Sequence, residues 1–153
     1  MRSFKPPAVV PFDAPSVFLA GSIEMGLAED WQRRVENELA DLDIIVLNPR
    51  RDDWDSSWVQ SVDNAPFHEQ VSWELAGIER ADVVIVYLDP ATRAPISLLE
   101  LGLIAVSGRA LVCCPDGYYR KGNVDVVCQR YRVPQARDLE ELIALARERL
   151  TAG

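Results

Sequence analysis

Between Ala81 and Val106 the chain reads ADVVIVYLDPATRAPISLLELGLIAV, and few folds accommodate that order of residues. Val83, Val84, Ile85, Val86, Tyr87 and Leu88 form an unbroken β-favouring run, the pattern of a strand covered on both faces. Such a strand belongs in the middle of a sheet with helices on each side. Asp89-Pro90 ends it, because proline has no N–H to give to the ladder. Ser97 then offers an N-cap, and the helix it opens carries Leu98, Leu99, Leu101, Leu103, Ile104 and Val106 with a single charge, Glu100. A carboxylate that is buried and unpaired in such a segment costs several kcal/mol. Two readings of Glu100 stand at this point. Ser97-x-x-Glu100 fits a capping box, with the carboxylate tied to the Ser97 backbone N–H. Alternatively, Glu100 is a catalytic acid carried by an apolar helix.

The rest of the chain repeats the strand-then-helix order. Residues 1–16 are proline-rich and lack periodicity, so an extended N-terminal arm is expected, with a single domain over 17–153. Val17-Phe18-Leu19-Ala20 is a buried strand. The loop Gly21-Ser22-Ile23-Glu24-Met25-Gly26 follows, its glycines allowing backbone N–H groups to approach a ligand. It lacks the G-x-G-x-x-G spacing of a dinucleotide fingerprint. A helix from about Ala28 to Leu42 places Trp31, Val35, Leu39 and Leu42 on one side. Ile44–Leu47 is a second strand, closed by Asn48-Pro49. A polar loop from Arg50 to about Pro66 contains Asp52, Asp53, Trp54, Asp55 and Trp58, and two tryptophans in so long a loop suit a binding loop or lid.

From about Phe67 to Arg80 a helix carries the apolar stripe Val71, Leu75, Ile78, with Glu74 sharing that face. After the Glu100 helix, Ala110–Cys114 is a strand, Asn123 to about Arg130 a short helix, and Tyr131–Val133 a short fifth strand. Asp138 and Glu141 open a last helix that buries Leu139, Leu142, Ile143, Ala146 and Leu150.

Strands alternating with helices imply an α/β fold, a three-layer sandwich around a five-stranded parallel sheet with right-handed crossovers. The expected strand order is 2-1-3-4-5, flavodoxin- or Rossmann-like, with a ligand crevice beyond the carboxyl ends of the strands where the order reverses. Gly21, Ser22 and Ile23, Asn48 and Arg50, and the stretch from Asp89 through Ser97 to Glu100 then gather at that crevice, which favours chemistry over capping for Glu100.

Composition narrows the partners. Formal net charge is −8, and the only arginine pairs are Arg33-Arg34 and Arg50-Arg51, so neither nucleic acid nor an anionic membrane is an expected partner. No apolar run approaches the roughly 18 residues of a membrane span. No secretory leader pattern opens the chain, and Cys113, Cys114 and Cys128 make no disulfide framework, so a cytoplasmic protein with reduced thiols is expected. With His68 the single histidine and no ligand spacing among the cysteines, no metal and no cofactor is expected.

The segments VFLAGSIEMG at 17–26, NPRRDDWD at 48–55, HEQVSWELAGIERADVVIVYLDP at 68–90 and PISLLELGL at 95–103 together resemble the nucleoside 2-deoxyribosyltransferase-like proteins, a family related to nucleotide N-hydrolases. The resemblance spans about Val17 to Val133. It implies attack of a glutamate on the anomeric carbon of a nucleoside or nucleotide, release of the base, and transfer of the sugar to another base or to water. Glu100, in Glu-Leu-Gly, matches the nucleophile. Glu74 falls where the transferases carry an aspartate that handles base protonation, and Ser22 matches a sugar- or phosphate-side position. Phe18 stands in place of a tyrosine that orients the nucleophile, and Ala94 in place of a second acid, leaving Asp89 as the nearest acid upstream.

Two carboxylates suit cleavage of an N-glycosidic bond, one as nucleophile forming a glycosyl ester and one as the acid serving the base. Trp54 or Trp58 can stack on the base, and Arg50 and Arg51 either meet a 5′-phosphate or balance Asp52 and Asp53. The alternative is a non-catalytic nucleotide-binding or sensing module with the same pocket, which the Phe18 and Ala94 departures support. The apolar Glu100 helix also implies a homodimer or larger homo-oligomer, burying residues 98–106 and 71–78.

Overall fold

The computed structural model describes residues 1–24, 29–51 and 55–152. Strands β1 (Arg2–Phe4), β2 (Ser16–Gly21), β3 (Ile45–Leu47), β4 (Val83–Tyr87), β5 (Ala110–Cys113) and β6 (Gln135–Ala136) interleave with helices α1 (Trp31–Glu38), α2 (Ala65–Arg80), α3 (Pro95–Ile104), α4 (Lys121–Tyr131) and α5 (Leu139–Thr151). All pairings are parallel and the spatial order is β1-β3-β2-β4-β5-β6.

The two central strands explain the layers. β2 and β4 run in register from Val17 against Val83 to Gly21 against Tyr87. Successive side chains point to opposite faces. Phe18, Ala20, Val84 and Val86 therefore enter one core with Ile78 of α2, Leu101 and Ile104 of α3, and Val124 and Cys128 of α4. Val17, Leu19, Val83 and Ile85 enter the other, with Trp31 and Val35 of α1 and Leu142, Ile143 and Ala146 of α5. Helices cover both faces, as the unbroken apolar runs require.

From β2 onward the order is the expected 2-1-3-4-5, and a sixth strand is added at its edge. The 1–16 stretch is not a free arm. Arg2, Ser3 and Phe4 pair with Ile45, Val46 and Leu47 as β1. The chain then crosses the flank of α2, where the Trp73 indole N–H donates to the Ala8 carbonyl at 2.8 Å and the Arg80 guanidinium lies 4.0 Å from the centre of the Phe12 ring.

At the other edge, the expected strand at 131–133 is replaced by β6 at 135–136. Tyr131 is the last residue of α4, and Arg132 closes that helix in the left-handed region at φ 55, its N–H directed at the Cys128 and Gln129 carbonyls. A backbone stretch whose N–H groups close a helix cannot pair in a strand at the same time.

Helix bounds shift for local reasons. Asp30 accepts the Arg33 N–H, so α1 begins at Trp31 and not at Ala28, which lies outside the described residues. Asn64 accepts the Phe67 N–H and opens α2 at Ala65. On α2 the buried face is not Val71-Leu75-Ile78. Leu75 is 39% exposed, and Gln70, Gly77 and Ile78 face inward, with Glu74 half-buried beside them. Gly77 sets this rotation, since a Cβ there would lie 2.8 Å from the Phe18 ring and 2.9 Å from Leu47.

Candidate active site

Glu100 decides the site, and the start of α3 decides Glu100. Pro95 is the first residue of the helix, where its missing N–H leaves no bond unmade. Ala94 is the residue before it, in the left-handed region at φ 43, with no side-chain cap. Ser97 is thus inside the first turn and buried, not the N-cap, and the Ser97–Glu100 capping box does not form. Ser97 and Glu100 share the buried face of α3 with Leu101 and Ile104.

Glu100 is 8% exposed, and among the described residues no hydrogen bond or ion pair holds its carboxyl. Burial, and secondarily the charge of Glu74, push it up to about 8. Glu74 is raised too, by its own burial, against the opposing pull of a Gln70 Nε2–H that donates to Glu74 Oε1 at 2.6 Å. Two carboxyls that feel each other in a buried setting titrate as a pair, and around neutrality such a pair retains a proton. One member can then attack as a carboxylate while the other donates.

The two loops at the sheet's reversal point are locked together. The Ser22 hydroxyl accepts the Asp89 N–H at 2.9 Å and lies 2.6 Å from the Thr92 hydroxyl, which itself donates to the Asp89 carbonyl. Thr92 having used its proton, Ser22 must donate to it. Ser22 is wholly buried, and its hydroxyl ties the end of β2 to the loop after β4. Asp89 likewise turns inward on its own loop, its Oδ1 accepting the Ala91 N–H at 2.8 Å.

Packing alone requires glycine at Gly21. Its φ is +144, and a Cβ would sit 2.3 Å from the Tyr87 carbonyl oxygen and 2.9 Å from the Trp31 ring. Ile23, half-buried, continues from that join.

Asn48 and Arg50 face α1. Asn48 is buried, donating to Glu36 Oε1 at 3.1 Å and accepting the Arg50 N–H at 3.0 Å. The Arg50 guanidinium is shared between Gln32 Oε1 and Asp30 Oδ1, each at 3.4 Å. These residues shape the exit of β3. Trp58 is half-buried with the Arg51 guanidinium 5.1 Å above its ring, which leaves the indole paired with a cation. Trp54, Asp52 and Asp53 lie outside the described residues.

Sequence reasoning missed two residues that the tertiary structure brings to the fore. Glu24 reaches across to the loop before α3 and accepts the backbone N–H groups of Arg93 and Ala94, each at 2.8 Å. Gln70, one helical turn before Glu74, is 3% exposed. Its i, i+4 spacing from Glu74 was the available signal. It was masked by the apparent Val71–Leu75 stripe.

The class is that of open parallel α/β sheets, here with a buried carboxyl on α3 and a half-buried one on α2, the helices flanking β4. Within that class, the sequence profile described as nucleoside 2-deoxyribosyltransferase like matches residues 14–118. The chain belongs to that family. A search of curated proteins finds no match.

Proposed function

We propose that the protein cleaves or transfers across the N-glycosidic bond of a (deoxy)nucleoside or nucleoside 5′-monophosphate through a covalent glycosyl-glutamate. The observation that carries this reading is Glu100, buried without a hydrogen-bond partner among the described residues and within reach of the charge of Glu74. Glu100 is the nucleophile. As the C1′–N bond breaks, its electrons pass to the base, a Glu100 oxygen bonds C1′, and the Glu74 proton goes to the base. For this step the one proton of the pair passes from Glu100 to Glu74, so that Glu100 attacks as the carboxylate, which the positive charge developing on the sugar favours, and Glu74 is the donor. Water or a second base then attacks C1′, its proton passes to Glu74, and the ester bond breaks to restore Glu100.

Asp89, Ser22 and Gly21 serve in this reading as the rigid floor of the crevice. Arg50 and Trp58 are the side chains of the neighbouring loop that a phosphate or base would recruit from their present partners.

The assembly that accompanies this reading is a homodimer or larger. Ile96, Leu99, Leu103 and Val106 are 60%, 63%, 55% and 70% exposed and recur at three- and four-residue steps along one side of α3 and the turn after it. No described helix is long and apolar enough to cross a membrane.

Incubation with a panel of nucleosides and nucleoside 5′-monophosphates, followed by chromatography for free base, tests the activity. Base release from at least one member, lost in Glu100→Gln, supports it. The alternative of a binding or sensing module draws on Phe18, which is wholly buried and offers Glu100 no hydroxyl. Saturable nucleotide binding without base release would favour that alternative.

A further inference from the structure

Gln70 is the most constrained polar side chain beside the acid pair, and the chemistry above leaves it idle. Its Nε2 donates both to the Pro49 carbonyl at 3.2 Å and to Glu74 Oε1 at 2.6 Å. A carbonyl oxygen can only accept, so turning the amide over would set oxygen against oxygen at Pro49. The amide orientation is therefore determined. It leaves Gln70 Oε1 buried and without a hydrogen-bond partner among the described residues.

Buried amide oxygens are almost always paired, and an exception asks for a reason. Packing supplies none, since a leucine or methionine fills similar space without stranding an acceptor. What only the amide provides is a fixed N–H aimed at Glu74. Pro49 directly follows Asn48 at the exit of β3, so the amide also ties Glu74 to the end of a central strand. The titratable group that faces Glu74 from a neighbouring element is Glu100 of α3, whose charge can only oppose ionisation of Glu74. Within the described surroundings, the Gln70 N–H is the contact that favours the ionised form.

We propose that Gln70 is a positioning residue for the acid step: braced on Pro49, its amide N–H holds the Glu74 carboxyl in one orientation and stabilises the carboxylate left when Glu74 gives up its proton. Resting on the N-glycosidase reading, that proton goes to the departing base while the C1′–N electrons go with the base. Gln70 then makes Glu74 a stronger acid than its burial alone would allow. The stranded oxygen is the by-product of an amide held for its N–H.

The test is a titration that does not depend on turnover. Protein labelled with carbon-13 at glutamate side-chain carboxyls is followed by NMR across pH in the parent, Gln70→Met and Gln70→Leu, with Glu74→Gln assigning the resonance. Loss of a donor to the charged form raises the midpoint of Glu74, by about one pH unit or a factor of ten in acid dissociation. An unmoved midpoint in a folded variant overturns the proposal. So does a lower melting temperature with an unmoved midpoint, which is the signature of a packing role. Where base release is measurable, the alkaline limb of the rate profile moves up with the same midpoint. Absence of base release from every nucleoside counts against the N-glycosidase reading and leaves the titration result standing.

Discussion

A Cβ added to Gly77 would meet the Phe18 ring at 2.8 Å, so the helix that carries Glu74 lies directly on β2. This contact orients α2, turning Gln70 and Glu74 inward and Leu75 outward. Neither the ring, which is wholly buried, nor the Leu47 side chain behind it has room to retreat. Gly77→Ala is expected to lift α2 and to destabilise the fold by about 1–3 kcal/mol, the usual cost of overpacking. Chemical denaturation of parent and variant checks this, and a variant as stable as the parent would refute the seating of α2 described here.

For Glu100→Gln two outcomes are expected together. Base release falls by orders of magnitude, since an amide cannot form the glycosyl ester. Stability responds with a defined sign. The folded-state value of Glu100 is raised to about 8 from an ordinary 4.5, so the folded protein keeps a proton that the unfolded chain has lost. The group therefore costs stability progressively as pH rises between those values, by at most about 5 kcal/mol. Relative to the variant, the parent loses stability from about pH 4.5 to about pH 8 and holds a constant deficit above. Melting curves at pH 5, 6.5 and 8.5 measure the difference, which stays flat if Glu100 is not raised.

Glu74→Gln removes a neighbouring charge that helps push Glu100 up. Glu100 then ionises at lower pH, and the acidic limb of any rate profile shifts down. Rates on ordinary nucleosides fall by about 10²–10⁴, the usual worth of general acid catalysis. A substrate whose leaving group needs no proton loses much less, and an equal loss on both would contradict the acid assignment.

Glu24 braces the backbone just before α3, so it acts on Glu100 through the start of that helix. Glu24→Ala leaves the Arg93 and Ala94 N–H groups without their acceptor and is expected to cost about 1–3 kcal/mol. Amide hydrogen exchange at Arg93 and Ala94 reads this directly. Protection equal to the parent's would mean the clamp is not formed in solution.

The apolar row on α3 predicts assembly. Light scattering at micromolar concentration should give at least a dimer, and Leu99→Lys with Leu103→Lys should shift it toward monomer while leaving the far-ultraviolet circular dichroism unchanged. A monomeric parent would contradict the assembly.

Much of this architecture was legible in local pattern because it rests on burial. An apolar run such as Val83–Leu88 has few places to go other than the middle of a sheet, and alternation with amphipathic helices then dictates parallel order. The order 2-1-3-4-5 and the position of Glu100 on a buried helix face both follow from that logic.

What the linear chain determined by itself was the set of segments that must be covered, since hydrophobic burial depends on residue type and spacing. What only the tertiary structure decided was where short, polar or irregular segments find their hydrogen bonds. Arg2–Phe4 became a strand because β3 offered an unpaired edge, and Tyr131–Val133 did not because α4 still had carbonyls to close. The Ser22, Asp89 and Asn48 side chains accept the N–H groups of Asp89, Ala91 and Arg50, and Asn48 also donates to Glu36 of α1, since buried polar groups must be satisfied by whatever the fold brings near. Gln70 and Glu24 likewise found partners 21 and 69–70 positions away in the chain.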